Sequence, residues 1–156
     1  MDKQIWHAMV ALQPRLRRFA FGLVGSMDEA DELVQMAYER AISHIAQWQP
    51  GTRLDSWMFR IVHTIRINRY HADRVRGGNA TPVDPDTLQD DGAERRLESS
   101  LTLQSVRRFI AALPEDQKAA LLLVAVEGLS YKEASDALGV PIGTLTRRIA
   151  RARTTL

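Results

Sequence analysis

The sequence contains no cysteine. This absence excludes a disulfide-stapled scaffold and a thiolate metal site, and it is typical of a reducing compartment. No apolar run approaches the ~18 residues that a membrane span needs. The first residues also do not open a signal peptide. We therefore expect a cytoplasmic protein without a membrane span.

Signs of catalysis are also missing. The four histidines lack the spacing of metal ligands, no glycine-rich phosphate loop follows a strand, and no nucleophile has a plausible base. No alternation of apolar and polar residues indicates a sheet. We expect no enzyme activity, no cofactor, no bound metal and no small-molecule substrate.

Charge is nearly balanced overall, at +2, but it is unevenly distributed. Residues 77–94 contain five acids and no base, together with several glycines and prolines. This composition predicts a flexible acidic linker. The segments on either side, 1–76 and 95–156, both carry excess positive charge, so each is a potential surface for a polyanion. We expect two domains with these bounds.

Apolar residues recur at helical spacing on both sides of the linker. The pattern predicts helices over 3–24 with a break near Pro14, about 27–47, about 54–74, 94–112 and 115–127. Ser26 with Glu29, and Thr52 with Asp55, are spaced to cap two of them. The predicted fold is all-α: two small helical domains joined by a flexible linker.

The last 27 residues indicate a helix-turn-helix. Ser130 and Glu133 have the spacing of a capping box, so a helix should start at Tyr131. Gly139 suits the left-handed end of that helix, and Pro141 suits the first turn of the next. A short helix, a tight turn and a second helix form the unit that enters a DNA major groove.

The second helix of this pair is rich in arginine. Ile142, Leu145 and Ile149 recur at steps of three and four and should face inward. From Pro141 onward there are four arginines and no acid, which favours DNA binding over an ordinary helical hairpin with a solvated basic face. The candidate DNA contacts on the outer face are Thr144, Thr146, Arg147, Arg148, Arg151 and Arg153.

One side of the predicted helix 54–74 carries aromatic and basic residues. Phe59, His63, Arg66 and Tyr70 fall opposite its apolar face. On a solvent face, such residues could stack on unpaired bases. Alternatively, Phe59 and Tyr70 pack against the first helix. The pattern alone does not separate these two interpretations.

Several motifs resemble the extracytoplasmic-function (ECF) sigma factors of bacterial RNA polymerase. Residues 127–131, 138–139 and 143–145, with the arginines that follow, resemble the promoter-binding region four. Residues 31–35, Asp-Glu-Leu-Val-Gln, resemble the Asp-Leu-Val-Gln signature of region two, with Glu32 where the family usually has Asp. Residues 57–61, Trp-Met-Phe-Arg-Ile, are similar to its Trp-Leu-Tyr-Arg-Ile run. Residues 50–52 and 123–128 are similar to the general-stress-response subgroup.

The resemblance implies a transcription initiation factor that binds core RNA polymerase and promoter DNA, with an anti-sigma protein as its inhibitor. The residues that it assigns to the polymerase clamp are Asp31, Glu32 and Gln35. The residues that it assigns to the minus-ten element are Trp48, Arg53, Trp57, Phe59, Arg60, Thr64, Asn68 and Arg69. The arginine-rich second helix would read the minus-thirty-five element. Thr64, Thr146 and Ala150 depart from the residues common in the family, so the promoter sequence stays open.

Two other functions compete with this one. A stand-alone helix-turn-helix regulator would have the same second domain, but it has no use for the region-two motifs. A sigma-like module that only sequesters a regulator would not need the arginines of the last helix.

Overall fold

The computed structural model describes residues 2–76 and 97–155, and its side chains from residue 103 in the second range. Both ranges consist of helices, turns and loops without a strand, which confirms the all-α prediction. The predicted linker, 77–94, lies outside the described residues. The helices are α1 (Lys3–Ala11), α2 (Gln13–Val24), α3 (Met27–Ser43), a 3-10 turn (Ile45–Gln47), α4 (Leu54–Val75), α5 (Leu97–Ala112), α6 (Glu115–Leu121), a π-helical turn (Leu122–Val126), α7 (Tyr131–Leu138) and α8 (Ile142–Thr154).

Local signals set most of the helix ends in the first domain. The predicted break falls at Leu12, and Pro14 stands in the first turn of α2, where its missing N–H costs nothing. Ser26 caps α3 by accepting a hydrogen bond from the Glu29 N–H. The predicted cap of α4 is wrong. The Thr52 hydroxyl donates to a carbonyl behind it, and the Asp55 carboxylate is occupied by arginines.

The predicted helix 115–127 is present but changes its winding. After α6 the helix continues as the π-helical turn, which is capped at its C-terminal end by Glu127. A π-turn accommodates an extra residue and is often found at functional positions. Here it directs Leu122 and Glu127 toward α2.

The two halves of the chain share one hydrophobic core. Phe19, Leu23 and Phe59 of the first half belong to the same buried cluster as Leu122 and Leu123 of the second. Gly22 of α2 faces Leu122, and a Cβ there would stand 2.7 Å from the Leu122 Cδ1. The glycine therefore allows the two domains to approach closely.

Candidate functional site

The helix-turn-helix is capped as its sequence predicts. The Ser130 Oγ accepts from the Glu133 N–H at 3.1 Å, and the Glu133 carboxylate accepts from the Ser130 N–H at 2.8 Å. Gly139 ends α7 with φ of 68°, and the Val140 N–H reaches back to the Ser135 carbonyl at 3.1 Å. This Schellman arrangement satisfies the last carbonyls of α7 and turns the chain into α8. Hydrogen bonding to Ser130 lowers the pKa of the Glu133 carboxyl, so the cap is charged at neutral pH.

Not every residue that the periodicity of α8 predicts to face inward is buried. Leu145, Ile149 and Ala152 are buried, but Ile142 is 51 % exposed, so its predicted inward position is wrong. Ile142 is the first residue of the helix and lies beyond the reach of the core. The sequence pattern did not predict an exposed isoleucine at the start of this helix.

The four arginines of α8 differ in their exposure to solvent. Arg147 and Arg151 are exposed and one turn apart, and Arg153 is also exposed. Arg148 is less available, because its side chain is 24 % exposed and its Nε lies 3.7 Å from the Asp116 carboxylate. The Thr146 hydroxyl donates to the Ile142 carbonyl at 2.8 Å, and the residue is exposed. Thr144 is half-buried beside Arg147.

The candidate clamp residues form one exposed patch on α3. Asp31 accepts from the Arg17 Nε at 2.7 Å, and Glu32 lies 3.4 Å from Arg69. The Gln35 amide donates to Glu39 on the following turn. Asp31 and Gln35 also line a shallow surface groove together with Val34, Tyr38 and Ile42. These ion pairs are exposed, so they are weak and can be exchanged for a partner's charges.

Phe59 is not on a solvent face. Its side chain is 0 % exposed and meets Phe19 edge-on at 5.2 Å between ring centroids, with the Arg15 guanidinium 5.2 Å from its own ring. The assignment of Phe59 to an exposed stacking platform is therefore wrong, and the alternative, packing against the first predicted helix (3–24), describes it. Tyr70 is half-buried beneath Arg66 and Arg74.

The other candidate minus-ten residues differ in availability. Thr64 and Asn68 are exposed on α4, and Trp48 and Trp57 are half-buried. The Arg53 guanidinium binds Asp55 at 2.6 Å and also binds Glu133 of α7. Arg60 lies over the helix-turn-helix, with its Nη2 3.3 Å from the position of a Cβ on Gly139. Arg53 and Arg60 thus face the second domain, whereas Arg69 pairs with Glu32 of α3.

A buried carboxylate at the domain boundary was missed by the sequence analysis. The Glu127 side chain is fully buried, and both of its oxygens lie 2.8 Å from nitrogens of the Arg18 guanidinium. Arg15 approaches it at 3.4 Å and also binds Asp55. The hydrogen bond to Glu127 raises the pKa of Arg18, and the hydrogen bond from Arg53 lowers the pKa of Asp55, so both groups favour their charged forms.

His63 lies on α4 beneath the second domain. Burial lowers its pKa to about 4, and the positive charge of Arg148 acts in the same direction, while Glu115 opposes it. Its Nε2 is buried without a hydrogen-bond partner among the described residues. His63 is therefore neutral at pH 7.

Comparison with known proteins places these features in a family. Residues 103–156 match the model for sigma-70 region 4, and residues 10–63 match the model for the sigma2 domain of PhyR. The ECF RNA polymerase sigma factor EcfG of Rhodopseudomonas palustris is 34 % identical over 95 % of this chain and 80 % of that protein. SigE of Mycolicibacterium smegmatis, also named an ECF sigma factor, is 32 % identical over 89 % of this chain and 54 % of that protein.

A solved structure gives the same assignment. The sigma factor RpoE of Bartonella quintana, in complex with the anti-sigma factor NepR, superposes with a TM-score of 0.72 and 26 % identity. The superposition covers 98 % of this chain and 94 % of that one, so it extends over both domains. None of the relatives described here is named as an enzyme. In the part of the chain that the structure describes, no helix has the length and apolar character to cross a membrane. The chain belongs to the ECF RNA polymerase sigma factors.

Proposed function

We propose that the chain binds core RNA polymerase through α3 and directs it to promoters whose upstream element is read by α8. One observation carries this proposal: a correctly capped helix-turn-helix with an exposed arginine face is joined in one chain to an exposed Asp31, Glu32 and Gln35 patch. A stand-alone regulator would need only the first of these. The chain would act in the cytoplasm, at the nucleoid, as a specificity factor without catalysis of its own.

Within α8, base reading and phosphate contact fall to different residues. The exposed Arg147 and Thr146 lie in the first half of the helix, near the exposed Ile142. These positions suit base edges in the major groove. Arg151 and Arg153 lie in the last turn and suit phosphates, which fix register without reading sequence. Thr144 and Arg148 are half-buried and contribute less in this conformation.

The minus-ten element would be met by α4 and the loop before it. Thr64, Asn68 and Arg69 are exposed along one stretch of this helix. Arg53 and Arg60 would join them once released from the second domain, and Trp48 and Trp57 would supply aromatic surface. Phe59 supports this surface from within and touches no base.

We also propose control by an anti-sigma protein. The Bartonella relative is held by such a protein, and the present chain matches that structure over nearly its whole length. An inhibitor that covers the α3 patch would remove the polymerase contact directly.

Run-off transcription with core RNA polymerase and a genomic promoter library tests the proposal. Glu32→Ala with Gln35→Ala should weaken binding to core polymerase about tenfold or more, because polar contacts at the centre of an interface are the costly ones to lose. Asp136→Ala, which removes an exposed acid from the other domain, is the matched control. Equal affinity of the double variant and the control would contradict the clamp assignment. Absence of run-off product from the unmodified chain would contradict the function.

The phosphate contacts can be counted by salt dependence. For binding to a promoter duplex recovered from that library, log affinity falls linearly with log salt concentration, and Arg151→Ala should make that slope shallower by about 0.9. Arg40→Ala removes the same charge from an exposed position of α3 and should leave the slope unchanged. Arg148→Ala should match Arg151→Ala only if Arg148 exchanges Asp116 for a phosphate on binding. An unchanged slope for Arg151→Ala would place α8 outside the groove.

A further inference from the structure

A cluster of ion pairs around Glu127 joins the two domains. This carboxylate comes from the second domain, yet its ligands, Arg15 and Arg18, come from α2 of the first. Arg15 also donates to the Glu127 backbone carbonyl at 3.4 Å. A fully buried carboxylate is costly unless it is paired, so Glu127 requires the first domain to lie against it.

Further contacts support the same closed arrangement. Arg66 of α4 binds Glu115 at 2.8 Å, and the Lys118 ammonium donates to the Leu23 carbonyl at 3.4 Å. Leu122 packs onto Gly22. Ionic, hydrogen-bonded and apolar contacts thus act together along α2 and α4, and the interface is not a single loose pairing.

Closure occupies two residues of the candidate minus-ten set. Arg53 is bound by Glu133, the glutamate of the α7 capping box, and Arg60 lies over Gly139 in the turn of the helix-turn-helix. The outer face of α8 remains exposed, with Arg147 and Arg151 free of interdomain contact in the described residues. The closed form therefore withholds one DNA surface and leaves the other accessible.

The closed form also cannot reach both promoter elements. Sites centred near minus ten and minus thirty-five are about 25 base pairs apart, roughly 85 Å along B-DNA. A compact chain of 156 residues has a radius of gyration of about 15 Å. The domains must separate before both surfaces can contact one promoter.

We infer that the ion pairs of Arg18 and Arg15 with Glu127 hold the two domains together in the free chain, and we call these ion pairs the latch. While it is closed, the latch withholds Arg53 and Arg60 from the minus-ten element. The consequence for transcription rests on the proposed function, but the latch itself does not. Because a closed population lowers the apparent affinity in proportion to the fraction of open chains, opening the latch should tighten binding to the minus-ten element.

Distance measurement between two dyes tests the latch on the full chain. Since the sequence has no cysteine, Ser43→Cys and Thr155→Cys place one label site in each domain at exposed positions. Arg18→Gln should raise the ratio of open to closed chains about tenfold, because it leaves a buried carboxylate short of its main partner. Glu127→Gln should do the same, and the double variant should add little to either change, because both remove one interaction.

The control is Arg40→Gln, which removes the same charge from an exposed position of the first domain. It should leave the energy transfer unchanged. Helical circular dichroism confirms folding, and Arg18→Gln, whose side chain is half exposed, keeps the test valid if Glu127→Gln fails to fold. Energy transfer in Arg18→Gln equal to that of the unmodified chain overturns the latch, even if run-off transcription proceeds. Opening of the variant without any run-off product overturns the proposed function and leaves the latch standing.

Discussion

Phe59→Ala should lower the free energy of unfolding by about 3–5 kcal/mol, the usual cost of removing a fully buried aromatic ring. Phe59 is 0 % exposed, and its ring contacts Phe19 edge-on, so the variant leaves a cavity between α2 and α4. The Arg15 guanidinium also rests on this ring, and Arg15 in turn binds Asp55 and Glu127. Chemical denaturation of the variant beside the unmodified chain measures the loss.

A matched variant separates packing from base stacking. Phe59→Leu keeps most of the apolar volume, so it should recover most of the lost stability. If Phe59 instead stacked on an unpaired base, both variants would fold with nearly unchanged stability and would fail equally in promoter opening. Finding that pattern would restore Phe59 to the DNA surface and would require α4 to rotate away from α2.

The sequence was sufficient where the cause is local. Ser130, Glu133 and Gly139 determine the ends of α7 through bonds that span at most five residues, and spacing alone predicts them. The break near Pro14 and the cap at Ser26 are equally short-range. Likewise, an arginine face free of acids on α8 can be seen in the sequence, because the charges lie within 7 residues.

The sequence did not predict the burial of residues whose surroundings depend on a distant segment of the chain. Periodicity placed Phe59 opposite the apolar face of α4, but it cannot tell that α2 covers this side. Glu127 reads as an ordinary acid at the end of an apolar helix, and its partner Arg18 is 109 residues away. Ile142 fits the inward pattern of α8, yet the core ends before the first turn of that helix. In each case the missing information is tertiary packing between the two halves of the chain.

His63 should make the stability of the chain fall as the pH drops from about 6.5 to about 4. Its pKa is about 4 in the folded chain, against an ordinary value of 6.5, because burial beneath the second domain disfavours the charged ring. In this interval His63 binds a proton in the unfolded chain but not in the folded chain, so unfolding is favoured as the pH falls. At about 1.4 kcal/mol for each pKa unit, the loss approaches roughly 3 kcal/mol at pH 4.

Denaturation curves between pH 7 and pH 4 measure this effect against a variant. His63→Gln should remove most of the slope, while His7→Gln, at an exposed position of α1, should retain it. Carboxyls such as Asp55, whose pKa is also lowered, destabilise the chain only at still lower pH, and they cancel in the comparison. Because the second domain and its Arg148 help to keep His63 neutral, Arg18→Gln should also flatten the slope if it opens the domains. Equal slopes for His63→Gln and the unmodified chain would show that His63 is hydrated in solution and that α4 is not covered there.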